Sequence, residues 1–428
     1  MMKNKQLLLN LIIVGMTLGT NWAIRGQFGH EQGAAWAGAV GALVIILLSG
    51  RVDWNSKLFK ATMAAAIGWG LGGLMSYGVV VGYGRGTDFV NVYYGLLMLF
   101  VIGGLYGFVG GGLFGLVLVD SKAKKVNWLS LFTGSVASAI VCYFFIIIEW
   151  EWFMTPPRSE VWAACLGVGA FLLWFTKHYD FSSALRVAVF SGLGGGFGFA
   201  FGDFLQVLGN VSGISFNFWN VMEYSLGFFG GLGMAYGTFT SSWESSDQLQ
   251  TKSSNLIPIL FVVLFIPFVV WDQTFSIEKI QGIYAKLLSG DVTEIAWIIK
   301  IGVLALILLN TAFFVINYHF RKPNELVQYS NKEVKTFFFS HFALYTLFSL
   351  LITGALISTY RIEQYLYLVN LIVILIVIPK LQPVFSPVGE NKNWGRNFVL
   401  LLLIIAVLAF IAINTHGEMP GMQRRFEF

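Results

Sequence analysis

The stretch TNWAIRGQFGHEQGAAWAG, Thr20 to Gly38, is a charged island between two apolar runs, and it sets the reading of the whole chain. Arg25, His30 and Glu31 lie within seven positions of one another, where a first apolar run ends and a second begins. Ionisable groups at the end of a membrane span are costly to desolvate unless they pair or face water. They are therefore the first candidates for a site, and the rest of the sequence decides what they meet.

Apolar runs like the two beside the island recur along all 428 residues. The composition is 56% hydrophobic and 11% charged, with a mean hydropathy of +0.72. This predicts an all-α polytopic membrane protein. The continuous Gly-, Leu- and Phe-rich runs exclude an outer-membrane barrel, whose strands alternate residue by residue. The N-terminus has the basic start and apolar stretch of a signal peptide but no small-residue cleavage site, so it reads as a retained first span.

About thirteen spans are expected, starting near residues 6, 33, 61, 91, 127, 161, 184, 218, 256, 295, 336, 365 and 397. Lys57, Lys122, Lys124, Lys125, Lys252, Lys322, Lys332, Lys335, Lys380 and Lys392 all fall in loops on one side. The bias predicts a cytoplasmic N-terminus and an extracytoplasmic C-terminus, in a plasma or inner membrane. It also accounts for the net charge of +5 without a nucleic-acid partner.

Sliding the chain against itself suggests a duplication. At a shift of 127, Asp53, Ser56 and Leu58 meet Asp180, Ser183 and Leu185; at 129, Phe89, Asn91 and Val92 meet Phe218, Asn220 and Val221. The expected organisation is a transmembrane repeat over 1–120, a second over 127–250, a five-helix C-terminal bundle over 256–414 and an extracytoplasmic tail over 415–428. Four spans per copy give both repeats the same orientation, so they should be parallel. Gly103, Gly107, Gly111 and Gly115 recur every four residues on one helical face, as do Gly194, Gly198 and Gly202, predicting close helix packing. SIEKIQGIYAKLLSG, from Ser276, places Ile277, Ile280, Tyr284, Leu287 and Leu288 on one face of a helix lying either on the membrane surface or on protein.

The outer ends of the repeat spans supply the candidate site: Arg25, His30, Glu31, Arg85, Asp88, Glu149, Glu160, Asp203 and Glu223, with Trp22, Trp150 and Trp219 interleaved. Apart from His30, the basic members are arginines, whose planar fork suits bidentate recognition of carboxylate or phosphate. Glu223 stands four and eight residues before Gly227 and Gly231, so it shares their close-packing face and should point inward, either to pair with a cation such as Arg85 or Arg25 or to stay protonated. In IEWEWF, Glu149 and Glu151 alternate with Trp150 and Trp152, as for a sugar-like or cationic ligand stacked on aromatic faces.

No HExxH helix, GxSxG elbow or phosphate loop occurs, and Cys142 and Cys165 lie inside apolar runs. The sequence thus assigns no cofactor and no metal, and it carries no signature of oligomeric state. The leading expectation is a transporter or facilitator of a small polar, anionic or sugar-like solute, surrounded by membrane lipids. A membrane-embedded enzyme acting on a lipid-linked sugar or phosphate at the outer leaflet, and a non-catalytic subunit of an envelope complex, are the alternatives.

Overall fold

The computed structural model describes residues 2–245, 250–322, 325–389 and 393–427, so Lys392 lies outside the described residues. The chain runs through α1 (Met2–Arg25), α2 (Glu31–Ser49), α3 (Val52–Ser56), α4 (Leu58–Gly73), α5 (Gly78–Gly84), α6 (Phe89–Val119), α7 (Trp128–Tyr143), α8 (Trp162–His178) and α9 (Ser182–Val211). It continues through α10 (Phe218–Phe239), α11 (Lys252–Leu260), α12 (Ile266–Thr274), α13 (Ile277–Tyr284), α14 (Thr293–Val315), α15 (Asn331–Thr353), α16 (Ile362–Val377) and α17 (Trp394–Ile413). A wide turn of π-helix carries α7 on to Glu149, and another joins α11 to α12. Ten of these helical stretches are long and apolar enough to cross a membrane, or eleven if the bent pair α4 and α5 counts as one. α8, at 17 residues, and α10 stand where the other two expected spans would lie.

Six helices close into a ring. α1 packs along α2, α2 along α4, α4 along α6, α6 along α9, α9 along α10, and α10 returns to α1. Glycine makes these contacts possible, since a methyl on Gly107 would run into the Ser191 carbonyl of α9, and one on Gly198 into the Ser225 carbonyl of α10. The predicted glycine faces are therefore seams between helices. α7 and α8 pair with each other on the rim. The α1–α10 contact has no counterpart of similar extent between α6 and α7, so the two expected repeats do not take equivalent neighbours.

The later helices wrap this ring. α11, α12 and α15 pack on α2 or α4, α16 on α1, and α17 leaves them to lie on α6 and α9. The expected bundle over 256–414 is thus split across two faces of the ring. α13 packs on protein, with Ile280 and Tyr284 buried and the Tyr284 hydroxyl donating to the Leu351 carbonyl at 2.9 Å.

The connections sort to two ends of the molecule. At one end, Arg51 donates to the Trp243 and Glu244 carbonyls, Lys124 pairs with Asp180, and a two-residue strand, Gln250–Thr251, pairs antiparallel with Leu326–Val327. Arg25, the break between α4 and α5, the 150–161 loop and the C-terminal tail lie at the other. The tail is pinned there, with Gln423 N donating to the Gly82 carbonyl at 2.9 Å and Phe426 N to Asn91 Oδ1 at 2.9 Å.

Candidate functional site

α1 places Trp22 and Arg25 three residues apart, hence on one face, and that face turns into the ring. Arg25 is 1% exposed, and so is Glu223 of α10. Arg25 Nη2 donates to Glu223 Oε1 at 2.9 Å and Oε2 at 2.7 Å, and to the Tyr77 hydroxyl at 2.8 Å. The Tyr77 hydroxyl in turn donates to Glu223 Oε1 at 2.7 Å. The guanidinium also lies over Trp22, 4.9 Å from its ring centre.

Tyr77 reaches the pair because its span is broken. α4 stops at Gly73 and α5 restarts at Gly78 at an angle of 66°. Gly72 and Gly73 weaken the helix there, and a methyl at Gly73 would strike the His30 carbonyl, so the α1–α2 connection fits against the end of α4. Non-helical backbone at membrane depth is tolerated where protein buries it.

Below this layer Trp22 meets Trp69 and Tyr106 edge-on, each at 5.0 Å between ring centres. Arg25 Nε, Trp22 Nε1, Trp69 Nε1 and the Tyr106 hydroxyl are buried with no hydrogen-bond partner among the described residues. Three of these four polar atoms are N–H donors and the fourth is a hydroxyl, so the centre of the ring is rich in donors.

His30 closes the edge of the cluster, with Nδ1 3.3 Å from Arg25 Nη1. Part of its surface reaches solvent, yet the protein packed around it, and then the Arg25 guanidinium, hold its pKa below the usual value. Glu31 is exposed in the first turn of α2, a position the helix dipole favours for an anion.

The other expected residues divide among three places. Arg85 donates to Gln206 Oε1 at 2.8 Å and to the Pro420 carbonyl at 3.3 Å, and lies 5.9 Å from the Trp219 ring centre. Trp219 also stacks 6.1 Å from Tyr77, so it links the Arg85 group to the Arg25 cluster. Asp203 is fully buried against Gly84, with neither carboxylate oxygen hydrogen-bonded among the described residues. Asp88 caps α6, accepting from Asn91 N at 2.9 Å. Glu160 organises the α7–α8 loop, accepting from Met154 N, Thr155 N and Trp162 Nε1, while Glu149 and Trp150 are exposed nearby.

Of the twelve residues expected, Arg25, Glu223 and Trp22 converge, with His30 and Trp219 at their margin. Sequence reasoning missed Tyr77, Trp69 and Tyr106. The signal for Tyr77 was Gly72-Gly73 ahead of it and Gly78 after it, a mid-span run that does not hold a continuous helix.

Two recesses flank the ring. One of about 820 Å³ lies at the Arg51 end, lined by Arg51, Asp53, Trp243 and Phe385; one of about 300 Å³ at the Arg25 end is lined by Tyr94, Glu151, Trp152, Trp162 and Arg425. Neither is lined by Arg25 or Glu223. Among the described residues, no three His, Cys, Asp or Glu side chains gather as they would around a metal ion. Compared with known protein families, curated proteins and solved structures, the chain has no match.

Proposed function

We propose that the chain is an integral membrane transporter or facilitator of a small polar solute, anionic or sugar-like, which engages the Arg25–Glu223–Tyr77 cluster at the centre of the ring. One observation carries the reading: a buried ion pair joins two helices at the point where a third span is broken. Charges inside a membrane domain are costly and mark solute or ion pathways. Broken spans place such sites in secondary transporters, because an interrupted helix frees polar groups to face a ligand.

The unmatched Trp22, Trp69 and Arg25 N–H donors, with the Tyr106 hydroxyl, support a solute rich in acceptor oxygens. Such a solute competes with Glu223 for the Arg25 guanidinium, and the displaced carboxylate keeps the Tyr77 hydroxyl as its partner. The enclosed cluster corresponds to a closed state of an alternating cycle. Thirteen spans, with Lys57, Lys60, Lys124, Arg186, Lys252 and Lys322 at the cytoplasmic end, complete the proposed topology in a plasma or inner membrane. Parallel descent of 1–120 and 127–250 is supported by the matching polar anchors, with α7 and α8 since displaced to the rim.

The test is uptake of labelled small organic anions and monosaccharides into sealed proteoliposomes, against product formation from lipid-linked sugars in detergent. Saturable uptake that Glu223→Gln and Tyr77→Phe each reduce at least about tenfold, the scale of one charge-assisted hydrogen bond, supports the reading. Turnover in detergent without a sealed compartment, or uptake that both variants leave at the wild-type rate, overturns it.

A further inference from the structure

The recess of about 300 Å³ at the Arg25 end lies apart from the ring centre, and its lining shares no residue with the Arg25–Glu223–Tyr77 cluster. Tyr94 and Met98 of α6, Trp162 of α8 and the loop residues Trp152, Phe153 and Met154 give it aromatic and thioether sides, while Glu151 and Arg425 bring opposite charges to it. The Glu151 carboxylate forms no ion pair among the described residues. Arg425 is held in place, its backbone N donating to Asn91 Oδ1 and its Nη2 to the Phe153 carbonyl at 2.9 Å.

These walls are fixed before any ligand arrives. Glu160 is 6% exposed and spends its carboxylate on the backbone N–H groups of Met154 and Thr155 and on the Trp162 indole, at 2.6 Å. A tryptophan that merely anchors a protein at the membrane interface keeps its N–H for lipid or water; Trp162 does not. Glu151 adopts φ 51°, a left-handed conformation rare for a residue with a side chain.

An exposed apolar face leads into the loop that lines the recess. α7, which leads directly into the loop, exposes Leu129, Phe132, Ile140, Phe144, Phe145 and Ile148 along its length. That apolar track ends at Trp150 and Trp152, the latter 63% exposed.

From this geometry we infer that the recess between α6, α8 and the 150–154 loop binds the zwitterionic headgroup of a membrane phospholipid. The headgroup's ammonium lies at Glu151 among the Trp152, Trp162 and Tyr94 rings, its phosphate at Arg425, and its acyl chains along α7. Unlike charges at a single recess select a headgroup carrying both signs, and the aromatic walls add cation–π attraction for the ammonium. This inference does not depend on what the ring centre carries.

Native mass spectrometry of the detergent-purified full-length protein, titrated with an equimolar mixture of phosphatidylethanolamine, phosphatidylcholine and phosphatidylglycerol, tests it. The expected result is retention of one zwitterionic lipid over phosphatidylglycerol by roughly tenfold, the scale of a charge-assisted contact. Glu151→Gln should abolish that preference, Arg425→Gln should lower retention of all three lipids, and Glu278→Gln, an exposed carboxylate on α13 at the same end, should leave both intact. Trp152→Ala removes a largely exposed ring from the recess and should lower retention of both zwitterionic lipids. Equal retention of phosphatidylglycerol, or unchanged lipid occupancy in Glu151→Gln, Arg425→Gln and Trp152→Ala, overturns the inference.

Discussion

Arg25 and Glu223 stabilise the ring only as a pair. Removing one partner leaves the other charge buried and uncompensated, which costs about 3–5 kcal/mol, whereas replacing both with apolar groups of similar volume is close to neutral. Arg25→Met and Glu223→Met should therefore each lower the thermal unfolding midpoint in detergent strongly, and the double variant should lose less than either single one. Strictly additive losses would show that the two side chains do not depend on each other. Lys57 offers a second check, outside the spans. Its ammonium donates to the Leu118 carbonyl at 2.8 Å and the Asp120 carbonyl at 2.6 Å, and burial, opposed by Asp120 and Asp53, lowers its pKa to about 8. An unfolded lysine titrates near ~10.4, so between about pH 8 and 10.4 the unfolded chain binds the extra proton and stability rises with pH. Across that window wild type should gain on Lys57→Met in unfolding midpoint; parallel profiles would mean that Lys57 does not titrate there. At this scale the sequence was legible where cost speaks: Arg25 and Glu223 stood out as charges beside apolar runs. Lys57 and Tyr77 were not, because a lysine in a loop and a tyrosine in a span look ordinary until burial is known.

The helices themselves were legible because each needs about 20 apolar residues to cross a bilayer, and such runs are hard to mistake. Their glycines carried a second layer of information, which the α6–α9 seam makes testable. A methyl on Gly107 would collide with the Ser191 carbonyl, whereas one on Gly104 would meet the Gly192 carbonyl at 3.7 Å, an ordinary contact. Gly107→Ala should cost about 1–3 kcal/mol by overpacking, and Gly104→Ala should stay within about 0.5 kcal/mol of wild type or gain from its better helix propensity. Equal unfolding midpoints for the two variants would deny that this seam is set by backbone approach. The prolines show what sequence hides at this scale. Pro267 lacks the N–H that would bond to the Val263 carbonyl four residues back, and Thr311 of α14 donates to that carbonyl instead, at 2.9 Å. Pro267 announces a freed carbonyl, but only the packing of α14 reveals its partner.

For the whole molecule, the arrangement of helices around the ring was the least legible property, since lipid-facing and protein-facing apolar surfaces share one composition. α17 reads like its neighbours in sequence yet crosses to the far side, where Ile405, Ala409 and Ala412 pack against Val92, Leu96 and Val207. That crossing delivers the tail to the α5–α6 corner. There Arg85 donates to the Pro420 carbonyl, Gln423 N to the Gly82 carbonyl, and Asn91 Nδ2 to the Phe426 carbonyl at 3.0 Å, so the tail bridges α5 to the start of α6. α5 is a seven-residue helix bounded by a break on one side and a turn on the other, which leaves it little stability of its own. Truncation after Met419 should therefore free α5 before it disturbs the ring. Amide hydrogen exchange should quicken over 78–92 while α9, held by its glycine seams to α6 and α10, keeps its protection. Because Tyr77 directly precedes α5, loosening it also loosens one side of the Arg25 cluster, and under the transport function proposed above, uptake in the truncated protein should change together with exchange at these amides. Exchange over 78–92 that stays at the wild-type rate would show that α6 and α9 hold α5 unaided and that the tail only rests on it.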